Sequence, residues 1–76
     1  MTTEYYLEVA LRLRDRIKRE PERKVEFLLR MADAYIKAKY FKAANMVCGS
    51  VLRMEAFNVQ AMLRLGKCLL GIYLLV

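Results

Sequence analysis

The chain has 76 residues, enough for one small domain, and a domain of that length buries only about 60% of its unfolded surface. It has no histidine and two cysteines, Cys48 and Cys68, which excludes a well-liganded zinc site and a disulfide framework. The net charge of +6 leaves acidic proteins and nucleic acid open as partners.

The first predicted element is a helix over residues 3–20, where Tyr6, Ala10, Leu13 and Ile17 recur at three- and four-residue spacing. Thr3 is its expected cap. Glu4 and Glu8 suit the positive end of the helix dipole, Lys18 and Arg19 the negative end, and Pro21 stops it. A second helix is expected over 22–37, with Leu28, Met31, Ala32 and Tyr35 on one face and Phe27 beside them. Glu26 with Arg30 and Asp33 with Lys37 should pair along its outside. A turn at residues 38–40 leads to a third helix over 41–54, burying Ala44, Val47, Cys48, Val51 and Leu52. Asn58 is the expected cap of a fourth, over 58–75, with Val59, Met62, Leu65, Gly66 and Leu69 as its inner face. No linker divides residues 1–76, so they read as one all-α domain.

A shift of 34 residues lays this pattern on itself. Tyr6 falls on Tyr40, Ala10 on Ala44, Ile17 on Val51, Leu28 on Met62, Met31 on Leu65 and Ala32 on Gly66. Small residues meet small ones and large apolar residues meet large ones. A fixed period of that length is the mark of a helix–turn–helix solenoid.

Leu28, Met31, Ala32, Tyr35, Phe41, Ala44 and Val51 stand where the tetratricopeptide repeat carries its packing residues, within one complete repeat over 25–58. The chain resembles that family over nearly its whole length, in the helix order B, A, B, A. Cys48, Val51 and Ala56 depart from the family's usual aromatic, small residue and proline. The resemblance implies antiparallel helix pairs and a scaffold that binds protein, with the A helices lining a groove. The groove positions would be Leu29, Asp33, Ile36 and Lys37, then Gln60, Leu63, Arg64 and Lys67. Arg64 and Lys67 would be available to an acidic group, while Asp33 argues against a carboxylate clamp.

The end of the chain breaks the rule that terminal repeats show a polar outer face. Leu69, Leu70, Ile72, Tyr73, Leu74, Leu75 and Val76 are interrupted only by Gly71, where a turn would let the last residues begin another helix. Such a surface implies association. A second copy in an isologous homodimer ranks first as its partner, and a different protein subunit or the continuation of a longer array second. A membrane ranks last, because the apolar run is about nine residues where a span needs about 20.

Arg12, Arg16 and Arg19 share a face of the first helix opposite its apolar stripe, a possible footprint for nucleic acid or an acidic surface. Glu8 and Asp15, each four residues before an arginine, dilute that field, and no aromatic lies among the arginines to stack on bases. A solvated face is the simpler reading, and nucleic acid is the alternative function.

Nothing in the chain reads as catalytic. Ser50 has no histidine to activate it, and three scattered glycines make no phosphate loop. The expectation is a binding protein without cofactor or metal. Glu4 and Glu8 do not fit a secretory leader, which places it in the cytoplasm, with the nucleus second.

Overall fold

The computed structural model describes residues 2–74, and over them the chain forms four α-helices and no strand. They are α1 (Thr3–Arg19), α2 (Lys24–Lys37), α3 (Phe41–Met54) and α4 (Val59–Leu74), with a single 3-10 turn, Pro21–Arg23, between the first two.

Local chemistry sets the boundaries. Thr2, not Thr3, caps α1: its Oγ1 accepts from the Tyr5 backbone N–H at 3.3 Å, which places Thr3 inside the helix. Pro21 does stop α1, with Glu20 held at ψ 67° outside the helical region. The proline then opens the 3-10 turn, and the bend at Arg23 (ψ 17°) delays α2 to Lys24 rather than Glu22. After α2 the Tyr40 N–H donates to the Tyr35 carbonyl (2.8 Å) and the Lys39 N–H to that of Ile36 (3.0 Å). This is the Schellman pattern, and it forces Lys39 to φ 64°, a position usually given to glycine. Asn58 caps α4 by accepting from the Ala61 N–H at 2.8 Å, and its side-chain amide donates to Glu55 Oε1 at 2.8 Å.

Side-chain meetings fix the directions. Lys37 lies over Tyr6 and Arg16 over Phe27, so α1 and α2 run antiparallel. The three-residue turn reverses the chain again into α3, and Gly71 near the end of α4 meets Phe41 at the start of α3. Contacts between helices join α1 to α2, α2 to α3, α3 to α4, and more sparsely α2 to α4. The molecule is a flat row measuring 37 × 30 × 14 Å.

That layout decides burial. Helix α2 has a neighbour on each side and hides Phe27, Leu28, Met31, Ala32 and Ala34, the heart of a core that also takes in Leu13, Val51 and Ala61. Phe27 is fully buried, with the guanidinium carbons of Arg16 and Arg23 at 4.5 and 4.6 Å from its ring centroid. Such cation–ring contacts stabilise by roughly 1 kcal/mol each when partly desolvated. Helix α4 has α3 on one side only. It buries Ala61 and Cys68, while Val59, Met62 and Leu69, expected on its inner face, are exposed. Nor does a turn form at Gly71, since α4 runs through it to Leu74.

Candidate docking surface

Around α4 the buried residues are Ala61 and Cys68, with Leu65, Gly71 and Ile72 partly covered beside them. Arg64 is partly covered against α2, and the other positions around the helix are exposed. At 100° per residue, Leu69, Met62, Tyr73, Gly66, Val59, Leu70, Leu63 and Leu74 follow one another across one continuous outer arc. None of them is polar apart from the Tyr73 hydroxyl. Leu70 is 61% exposed, Leu74 74% and Tyr73 80%. Leu69, Leu70, Tyr73 and Leu74 of the expected association surface therefore do face outward, and Ile72 is half-buried. Leu75 and Val76 lie outside the described residues.

The period of 34 explains the arc. Phe27 and Ala34, which α2 turns toward α1, correspond to Ala61 and Cys68, which α4 turns toward α3. The next side of α2, formed by Leu28, Met31, Ala32 and Tyr35, lies against α3. Its counterpart on α4 is Met62, Leu65, Gly66 and Leu69, and no described residue follows to cover it. Along the outer stripe of α3 lies an open slot of about 560 Å³, lined by Asn45, Met46, Val47, Gly49, Ser50 and Arg53, with Leu65 as its one α4 residue. Sequence reading missed the α3 wall of this slot. Its signal was the spacing of Met46, Gly49 and Arg53, which places all three on one face.

Of the groove residues, the structure ties three together. Arg64 donates from Nε to Asp33 Oδ1 at 2.8 Å and from Nη2 to Asp33 Oδ2 at 3.0 Å, a two-pronged pair linking α2 to α4. Its Nη1 donates to the backbone and side-chain oxygens of Gln60, both at 3.0 Å. Arg64 is thus engaged within the chain and not available to an acidic ligand, and the expected Asp33–Lys37 pair is replaced by this one. Lys37 instead sits 5.7 Å from the Tyr6 ring centroid. Leu29 and Ile36 are half-buried, and Leu63 and Lys67 are exposed, on the same two helices.

The basic stripe does not survive as a unit. Arg12 is exposed and pairs with Glu8 at 2.7 Å, and Arg19 is exposed. Arg16 lies at the edge of the core over Phe27, not opposite it, and bridges to Glu20 at 3.3 Å. Arg23 reaches Glu20 at 3.2 Å and Glu26 at 2.6 Å, and Arg30 reaches Glu26 at 3.1 Å, completing a chain of pairs along the α1–α2 seam. Hydrogen bonds from Arg23 hold the carboxyls of Glu20 and Glu26 below the usual carboxylate range.

Cys48 and Cys68 meet across α3 and α4, both buried and neither in a disulfide. Burial pushes the Cys48 thiol up to about 11 and raises that of Cys68 as well, which keeps both protonated and unreactive near neutrality. No cluster of metal-ligating side chains occurs among the described residues, and no helix there is long and apolar enough to cross a membrane. No protein-family model matches the chain, and no curated protein or solved structure matches it significantly.

Proposed function

We propose that the chain is a protein-interaction module, an adaptor built like a tetratricopeptide array that works by docking and not by catalysis. The observation that carries this reading is the outer arc of α4, where eight consecutive positions around the helix hold apolar residues or glycine and none is packed away. Water against that much contiguous apolar surface costs roughly 25 cal/mol per Å², which favours any partner that removes it. Association through α4, with a protein subunit or a second copy of the chain, is the activity; Asp33, Gln60 and Arg64 serve to hold α4 beside α2. With Arg16 drawn into the seam, the first helix offers nucleic acid only scattered charges.

The test is the solution mass of the intact chain by light scattering, over a wide concentration range at low and high salt. The expected result is a mass that rises with concentration and is undiminished by salt, because apolar contacts are not screened. Leu70→Glu should remain monomeric with unchanged helicity. An assembly that salt dissolves, or one that Leu70→Glu leaves intact, would overturn the reading; a wild-type chain that stays monomeric at its highest soluble concentration would assign α4 to a different protein subunit.

A further inference from the structure

We infer that Cys48 and Cys68 form a reversible dithiol–disulfide site, a clip that fastens α4 to α3 when a small-molecule disulfide such as oxidised glutathione takes up their electrons. The site does not depend on what docks against α4.

Placement is the first support. The chain has two cysteines in 76 residues, and the fold brings them to one contact, one on α3 and the other on α4. Both are fully buried, and their sulfurs lie within hydrogen-bonding reach of each other. The buried side chains of the two helices are small: Ala44, Cys48 and Val51 on α3, Ala61 and Cys68 on α4. Gly71 brings the α4 backbone against the Phe41 ring. Helices that meet through such residues run close together, as a disulfide requires, since it joins Cα atoms about 4.4–6.8 Å apart.

Packing does not call for sulfur there. One period earlier Ala34 stands in the place of Cys68 and fills it, buried, with a methyl group. In the place of Cys48 stands Arg14, which is exposed. The seam between α1 and α2 closes with a thiol at neither matching position, and the seam between α3 and α4 has one at both.

Access comes from the position of α4. In the closed molecule both thiols are shielded and protonated. Only α3, a sparse contact with α2 and the Asp33–Arg64 pair hold α4 among the described residues. An end helix held in this way is the first to open, and opening bares Cys68. Its thiol loses a proton to solvent, and the thiolate attacks one sulfur of the small disulfide, breaking that S–S bond and expelling one small thiolate. When α4 returns, Cys48 gives up its proton and attacks the Cys68 sulfur of the mixed disulfide, and the second small thiolate leaves. Two cysteine thiols have then lost two protons and two electrons, and the small disulfide has become two thiols. The new bond spans 20 positions of chain through the corner between α3 and α4, which restricts the unfolded state and so stabilises the clipped form.

The test equilibrates the intact chain with oxidised and reduced glutathione at several ratios, quenches it in acid, then unfolds, alkylates and weighs it by mass spectrometry. At the oxidising end the chain should lose two hydrogens, take no alkyl group and remain a single chain, and excess reductant should restore both thiols. The clipped form should melt about 10 °C or more above the reduced one. Cys68→Ala should fold, because Ala34 fills the matching place, and should show no such rise. Arg64→Lys, which loosens α4, should speed the oxidation several-fold. Two alkylated cysteines at the most oxidising ratio, or bonds between chains in place of within one, would overturn the inference. So would a clipped form that melts no higher than the reduced one, or an oxidation rate indifferent to Arg64→Lys. Light scattering in reductant measures association through α4 separately, so the clip and the docking role stand or fall independently.

Discussion

Two glycines in one helix have opposite meanings here, and the difference lies in what a single methyl group would touch. A Cβ at Gly71 would lie 2.6 Å from the Phe41 ring, well inside van der Waals contact, so the ring and the α4 backbone are matched. A Cβ at Gly66 meets no atom within 4 Å. Gly66→Ala should therefore stabilise the chain by up to about 1 kcal/mol through helix propensity alone. Gly71→Ala receives the same propensity gain but must displace Phe41, an overpacking that costs about 1–3 kcal/mol and leaves a net loss. Thermal melts should move in opposite directions, by several degrees each on the scale of about 4–8 °C per kcal/mol for a domain of this size. Equal shifts would mean that Phe41 moves aside freely. Sequence alone places Gly66 inside a helix and offers a turn at Gly71; only the position of Phe41 shows that Gly71 is a helix-interior glycine with a packing role.

At the scale of the elements, the seam between α1 and α2 is held by charge laid over apolar packing. Arg16 and Arg23 cover Phe27 with their guanidinium planes and turn their donors to Glu20 and Glu26. Pairing along an exposed helix was legible from spacing, since Glu8–Arg12 and Glu26–Arg30 both form. The pairs through Glu20 were not, because they depend on the 3-10 turn that brings Arg23 back toward the end of α1. Both carboxyls have folded-state values below their ordinary one of 4.5, the direction in which ionised carboxylate stabilises the native state. That contribution is fully present above the unfolded value and is lost as pH falls through the lowered folded value. Melting temperature should accordingly drop as pH falls from about 5 through 4 and below, and the double variant Glu20→Gln/Glu26→Gln should flatten that part of the curve. An unchanged acid slope in the double variant would place the lost stability elsewhere.

For the molecule as a whole, the decisive link is Arg64. It joins α2 to α4 across 31 positions of chain, using both prongs of its guanidinium on Asp33 and its remaining nitrogen on Gln60. A lysine cannot reproduce that fork. Arg64→Lys should lower stability by about 1 kcal/mol, an amount consistent with a two-pronged pair that is partly open to solvent. Chemical denaturation checks it, and a midpoint equal to wild type would show that apolar contacts alone seat α4.

The number and order of the helices, the turn at residues 38–40 and the all-α class follow from the sequence by itself. Apolar spacing, Pro21, Asn58 and the period of 34 are local features that act without reference to distant chain. Which side of each helix is buried was decided only by the tertiary structure. A periodic stripe shows that a helix has an inner face; it does not show whether a neighbour exists to cover it. For α2, with a helix on each side, the stripe is buried at Phe27, Leu28, Met31 and Ala32 and half-buried at Tyr35, and the core adds Ala34. For α4, flanked on one side, the expected stripe is open at Val59, Met62, Gly66 and Leu69 and half-buried at Leu65, while the covered edge is Ala61 and Cys68 beside it. The same reason moved Arg16 from the solvated face to the core's edge and turned Arg64 from a ligand contact into a structural one. Burial and pairing are properties of neighbours, and neighbours are set by the packing of the row.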